Sequence, residues 1–126
     1  MNYLLDTHAA VWLLEGNPQL GARARAILDD QDSMGLSDIS LLEIALLARR
    51  GTLQLRPDVA TGLRAFAGKL TVLPITAAIA ADAVEVGLPH RDPFDRVITA
   101  TARVHRLVLL TKDRQIADAG VVETLW

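Results

Sequence analysis

Short apolar runs alternate with longer stretches in which apolar residues recur every three or four positions, and the alternation holds from one end of the chain to the other. Tyr3 to Leu5 reads as a short strand. Asp6-Thr7 follows as a helix N-cap, and His8 to Glu15 as the helix it starts. Asn17-Pro18 opens a second helix over positions 19–29, with Leu20, Ala24, Ile27 and Leu28 on one face. Met34 to Leu36 is a brief strand, after which Ser37-Asp38 caps a helix from Ile39 to Arg50 that stops at Gly51. Pro57-Asp58 begins an amphipathic helix carrying Val59, Leu63, Phe66 and Leu70 at helical spacing. Thr71 to Ile75 is a β-branched strand, and the alanine-rich segment Thr76 to Val86 is a helix ending at Gly87. A helix from Pro93 to His105 precedes the strand Leu107 to Leu110. A short helix then runs to Ala119, and Val121 to Leu125 forms the last strand.

Five strands alternating with about seven helices predict an α/β fold, a three-layer sandwich whose central, mainly parallel sheet is flanked by helices. At 126 residues and 13.6 kDa, one domain over residues 1–126 is expected. A hydrophobic content of 51% and a mean hydropathy of +0.27 exclude intrinsic disorder. The chain has no cysteine, which excludes a disulfide framework, a thiolate metal site and a cysteine nucleophile, so any metal must be held by oxygen or imidazole. The N-terminal run lacks a basic segment and is broken by Asp6 and Glu15, and no apolar stretch reaches the roughly 18 to 20 residues of a membrane span. A cytoplasmic protein without membrane contact is expected. The formal charge of −2 lacks the basic footprint of a dedicated nucleic-acid binder, so contact with nucleic acid would rest on a local patch.

Ligands of open parallel sheets bind beyond the carboxyl ends of the strands, so acids at strand ends carry the most interest. Asp6 follows the first strand and Asp113 follows the Leu107 to Leu110 strand; each also suits a helix cap. Glu43 lies among apolar residues, with Ile39 and Leu47 one turn away on either side. A carboxylate on that face needs a cation, a basic partner or a proton. The densest polar cluster is His90-Arg-Asp-Pro-Phe-Asp-Arg96, where Asp92 suits the N-cap before a proline and Asp95 sits three residues on, at the helix dipole. Asp6, Glu43, Asp95 and Asp113 come from four separate elements. Converging carboxylates repel unless a cation neutralises them, and an oxygen-only set suits Mg²⁺ or Mn²⁺. The histidines lack the spacing of a zinc site: His8 and His105 read as helix-surface residues, while His90 lies beside the acids, within reach of a substrate.

Four segments together resemble the PIN-domain ribonucleases, specifically the VapC toxins of toxin-antitoxin pairs: Leu4 to Trp12, Ser37 to Glu43, His90 to Arg96, and Leu109 to Asp113. The resemblance spans nearly the whole chain in the right order. It implies a PIN-like sheet flanked by helices, an acidic pocket holding one or two Mg²⁺ or Mn²⁺ ions, and endonucleolytic hydrolysis of RNA leaving a 5′-phosphate and a 3′-hydroxyl. The family's core acids map onto Asp6, Glu43, Asp95 and Asp113. Asp92 is implied as an outer ligand, and Thr7 and Thr111 as hydroxyls that orient ligands or water. Some relatives carry a further acid just beyond the last of these, where this chain has Arg114-Gln-Ile116. Arg96, Lys112 and Arg114, adjacent to site acids, are candidate contacts for the RNA backbone.

The resemblance also implies a homodimer and a cognate antitoxin. Leu53, Leu55, Leu63, Phe66 and Leu70 with Trp12 offer apolar surface for a groove of the kind that accepts a partner helix, or else form ordinary core. Two other classes compete with the nuclease reading. A receiver-like phosphoacceptor domain is a parallel α/β domain of this size, but it needs paired acids after the first strand, where this chain has Asp6-Thr7-His8. A PIN fold without catalysis, serving as a binding module, is the other, and the presence of all four acids argues against it. A haloacid-dehalogenase-like phosphatase requires an acid where His8 stands.

Overall fold

The computed structural model describes residues 1–30 and 34–126. Its elements run β1 (Tyr3–Leu5), α1 (Thr7–Glu15), α2 (Ala22–Asp30), β2 (Gly35–Ser37), α3 (Asp38–Arg49) and α4 (Val59–Ala67). They continue with β3 (Thr71–Leu73), α5 (Ala77–Glu85), α6 (Pro93–His105), β4 (Val108–Leu110), α7 (Arg114–Ala119) and β5 (Thr124–Leu125). Every predicted element is present, with ends displaced by a few residues. The last predicted strand shrinks most, to Thr124–Leu125, and the second helix starts later, at Ala22.

Side-chain oxygens start most of the helices. Asp6, Ser37, Asp58, Thr76, Asp92 and Asp113 each accept a hydrogen bond from a backbone N–H in the first turn that follows. Helix α1 ends in a left-handed Gly16, where a residue with a side chain would be strained. Helix α5 ends differently from its prediction. Gly87 is not left-handed, and the helix stops at Val86 in an extended conformation, its final carbonyls taken up by an arginine described below.

All strand pairs are parallel, and the sheet order is β3-β2-β1-β4-β5. The sheet is therefore fully parallel. This is not the 2-1-3-4-5 order of receiver-like domains, which removes that competing reading. Successive strand residues face opposite ways, so Leu5, Leu36 and Leu110 join one core cluster with Ala9, Ala24, Ile44 and Phe66. Leu4, Leu73 and Leu109 join a second with Ile98, Ala102 and Ile116. Apolar faces on both sides of the sheet are what make its strands continuous hydrophobic runs. Leu53, Leu55 and Phe66 are buried in the first cluster, with Leu63, Leu70 and Trp12 packed against it. Leu53, Leu55 and Phe66 are thus ordinary core, the second of the two readings, while Leu63, Leu70 and Trp12 stay partly exposed at its margin.

After β3 at one edge, the chain returns through α5 and α6 to place β4 on the other side of β1. The order reverses between β1 and β4, and a crevice opens beyond the carboxyl ends of those two strands. No helix among the described residues is long and apolar enough to cross a membrane.

Candidate active site

Asp6 directly follows β1, and its backbone N–H donates to Leu110 O of β4 at 3.1 Å, which fixes it at the reversal point. Its side chain is nearly buried, at 8% exposure, and accepts from Ala9 N at 2.7 Å. Burial pushes the Asp6 carboxyl above its usual range, more than hydrogen bonds from Thr111 and Ala9 bring it down. Thr111 follows β4, and its hydroxyl also accepts from Asp113 N at 3.0 Å, so one threonine links the two acids.

Asp113 caps α7 through Oδ1, which accepts from Gln115 N at 2.8 Å and Ile116 N at 3.3 Å. Its Oδ2 lies 2.7 Å from Nε2 of His90, whose side chain is 8% exposed. Burial acts to raise the Asp113 carboxyl, but the His90 contact and the backbone donors outweigh it, and the group is held below its usual range. His90 is thus a positioning partner of an acid, and its Nδ1 is buried with no partner among the described residues.

Asp95 rises from the first turn of α6 into the cavity of about 380 Å³ that Asp6, Asp113, His8, Trp12 and Lys112 also line. Burial, reinforced by repulsion from Asp92, Glu43 and Asp113, pushes its carboxyl up to about 6. Glu43 is half-buried on α3, which packs against α6, and is felt electrostatically at Asp95 without lining the cavity. Asp92 is exposed and occupied as a cap, accepting from Phe94 N at 2.9 Å. Thr7 is buried, and its hydroxyl donates to Ser40 Oγ at 3.1 Å. It ties α1 to α3, one turn before Glu43, and does not line the acidic cavity.

Of the expected RNA contacts, Lys112 lines the cavity and Arg114 is exposed beside Asp113, but Arg96 is a correction. Its guanidinium donates to five carbonyls, those of Ala83 (2.7 Å), Val84 (3.2 Å), Val86 (2.7 Å), Leu88 (3.2 Å) and His90 (2.9 Å). These are the open end of α5 and the loop after it, which a cation suits for both hydrogen bonding and dipole. No donor is left for a phosphate. One residue along a helix turns by about 100°, so Arg96 leaves the face of Asp95, and the carbonyls it reaches lie six to thirteen residues back along the chain.

The donor chemistry fits a hard divalent cation. Oxygen ligands from separate segments share one cavity, and their mutual repulsion at Asp95 is what a cation relieves. The carboxylates stand apart, however: among the described residues no group of three acids or imidazoles is close enough to hold an ion jointly. Both oxygens of Asp113 are already engaged.

Comparison with known proteins gives the fold its family. The PIN domain family model matches residues 3–122. The chain is 36% identical to Ribonuclease VapC22 of Mycobacterium tuberculosis over 116 residues, 90% of this chain and 88% of that one. Its fold is shared with the DNA-bound VapBC structure from Salmonella typhimurium, with a TM-score of 0.79 and 21% identity over 99% of this chain and 97% of that one. A toxin-antitoxin complex from Klebsiella pneumoniae gives a TM-score of 0.68 and 24% identity over 96% and 95% of the two chains.

Proposed function

The chain belongs to the PIN-domain family, and we propose that it is a metal-dependent endoribonuclease, the toxin of a VapBC-type pair, acting as one domain in the cytoplasm. The observation that carries this reading is that Asp6, Asp95 and Asp113, more than a hundred residues apart at the extremes, line one cavity at the point where the strand order reverses. The similarity to a named VapC ribonuclease over nine-tenths of the chain supports the reaction class.

Asp6, Asp95 and Asp113, with Glu43 behind them, are the residues that would hold one or two Mg²⁺ or Mn²⁺ ions. When bound, such an ion neutralises charge on the phosphodiester and supplies hydroxide at neutral pH. The chain's own contribution is to prepare the acids. Thr111 holds the Asp6 and Asp113 segments in register, and His90 orients Asp113 through Oδ2. Lys112 places a positive charge at the rim, where the phosphate arrives. Asp92 acts from outside as cap and negative neighbour of Asp95, and Thr7 acts through Ser40 on the Glu43 helix. The partners are RNA, a cognate antitoxin and a second copy of the chain.

The test is cleavage of RNA in Mg²⁺ by purified Asp6→Asn protein. The rate is expected to fall at least about 10²-fold. Melting should stay at or above the wild-type temperature, because asparagine still caps α1 and removes a buried charge. EDTA should stop the wild type. Wild-type cleavage by Asp6→Asn, or cleavage that survives exhaustive chelation, refutes the assignment.

A further inference from the structure

Next to the acidic cavity lies a second one of about 360 Å³, whose lining includes Arg23, Thr111, Lys112, Asp113, Arg114 and Trp126. The two share Lys112 and Asp113. Three of the lining residues are exposed cations, and none of these makes an ion pair among the described residues. Three rings connect the cavities. His8, in the acidic one, lies 6.1 Å from Trp12 between centroids, and Trp12 meets Trp126, in the basic one, edge-on at 5.4 Å. The Lys112 ammonium sits 5.5 Å over the Trp12 ring, between them.

The Trp126 ring is held in place. It lies against Gly21, where an added Cβ would come within 3.1 Å of its Cδ1 and Nε1, so the close approach depends on that glycine. Both tryptophans keep part of their surface exposed. A braced, partly exposed aromatic ring beside exposed cations suits unpaired bases on a phosphate backbone, because every base has a stacking face and every linkage a charge. A purely apolar ligand would leave the cations unused.

We propose that this second cavity is a nucleotide subsite, in which Trp126, braced edge-on by Trp12 from the acidic side, stacks an unpaired base of single-stranded RNA while Arg23, Lys112 and Arg114 hold its phosphates beside the acids. The inference rests on RNA being the substrate, as proposed above, and adds which groups grip the nucleotide next to the cut.

The two tryptophans are the only ones in the chain, one lining each cavity, so their fluorescence reads both and the part lost in Trp126→Ala belongs to the subsite. Asp6→Asn protein in EDTA is titrated with a single-stranded oligoadenylate, which it binds without cutting. Saturable quenching is expected, and an abasic sugar-phosphate strand of equal length should bind at least about tenfold more weakly. Trp126→Ala, read by Trp12, should weaken binding roughly 5- to 100-fold, while Trp12→Phe, which keeps a stacking ring, should bind nearly as the parent. Arg23→Gln and Arg114→Gln should each reduce the salt slope of binding by about 0.7. Equal binding of the abasic strand, or no loss in a folded Trp126→Ala, overturns the subsite. So does quenching by an acidic peptide but not by RNA, which would assign the cavity to a protein partner. Cleavage by the wild type is scored separately: cutting without quenching sinks the subsite alone, and quenching without cutting sinks the nuclease reading alone.

Discussion

Arg96 and Arg114 occupy the same place in the sequence, each one residue past a site aspartate, yet the two regions use them in opposite ways. In the α5–α6 layer, Arg96 closes the carboxyl end of α5 with all five of its N–H donors. Beyond β4, Arg114 begins the short α7, exposed and facing the cavity it shares with Arg23 and Lys112. The difference lies in what surrounds each guanidinium. Helix α5 ends without a left-handed glycine, and its final carbonyls need donors. Helix α7 ends in left-handed Gly120 and needs none. An arginine beside a site acid is therefore free to meet a substrate only where no helix end nearby has a prior claim on it.

The sharpest way to break this contrast is to remove Arg96. Arg96→Ala leaves several half-buried carbonyls without donors and should destabilise the protein by about 3 kcal/mol in urea unfolding followed by circular dichroism. Arg96→Lys should recover little, since an ammonium offers three donors from one point and cannot span five carbonyls. Arg114→Ala should stay within about 0.5 kcal/mol of the wild type. A loss under 1 kcal/mol for Arg96→Ala would mean that water replaces the guanidinium and that the arginine is available to substrate after all.

The same contrast shows which parts of the molecule were legible in the sequence. Elements and their order were readable because caps, periodicity and strand runs agree locally, as at Asp92-Pro93 or Ser37-Asp38. The site acids at strand ends were readable because parallel topology dictates where such ends collect. Asp6, Asp92 and Asp113 turned out to be helix caps while also facing or flanking the site, so the structural and functional readings of one aspartate were not alternatives. What could not be read was partnership over distance. His90 meets Asp113 across 23 residues, Thr7 meets Ser40 across 33, and Arg96 reaches back to a helix end that no local pattern marks. The role of Trp12 beside Trp126 was likewise hidden, because an aromatic at helical spacing looks the same whether it fills the core or rims a cavity.

Asp95 and Asp113 sharpen the comparison through pH, because their regions shift them in opposite directions. The carboxyl of Asp95 sits near 6 in the folded protein, above its ordinary 3.8, so between those values the folded state binds more protons than the unfolded one. Stability from this group is thus present at low pH and lost as pH rises through about 4 to 6. Asp6, also raised, acts in the same sense. Asp113, held low, has the opposite sign and contributes stability that is lost as pH falls below the usual carboxylate range. Relative to the wild type, Asp95→Asn should gain stability as pH rises from 4 to 7. The gain should reach about 1 kcal/mol once the partial solvent exposure of the carboxyl is allowed for. Thermal melts across that range check it, and a wild-type-minus-variant difference flat with pH would show that Asp95 is neither raised by burial nor under repulsion from Asp92, Glu43 and Asp113.

The smallest effect separates a capping arginine from an ordinary ion pair within the same helix. Arg103, two turns after Arg96 on α6, meets Asp82 of α5 through Nε at 2.8 Å and a second nitrogen at 3.3 Å, and donates to Val121 O at 2.6 Å. The pair is about one-third exposed on the arginine side, so water and salt screen it. Arg103→Ala alone removes the carbonyl contact as well as the pair, and a double-mutant cycle with Asp82→Ala is needed to isolate the pair. The coupling should be about 0.5 kcal/mol and shrink further in molar salt, whereas the cost of Arg96→Ala should barely respond to salt. If both arginines lost their contributions equally in salt, neither would be acting chiefly as a donor to carbonyls, and the distinction between them within α6 would reduce to solvent exposure.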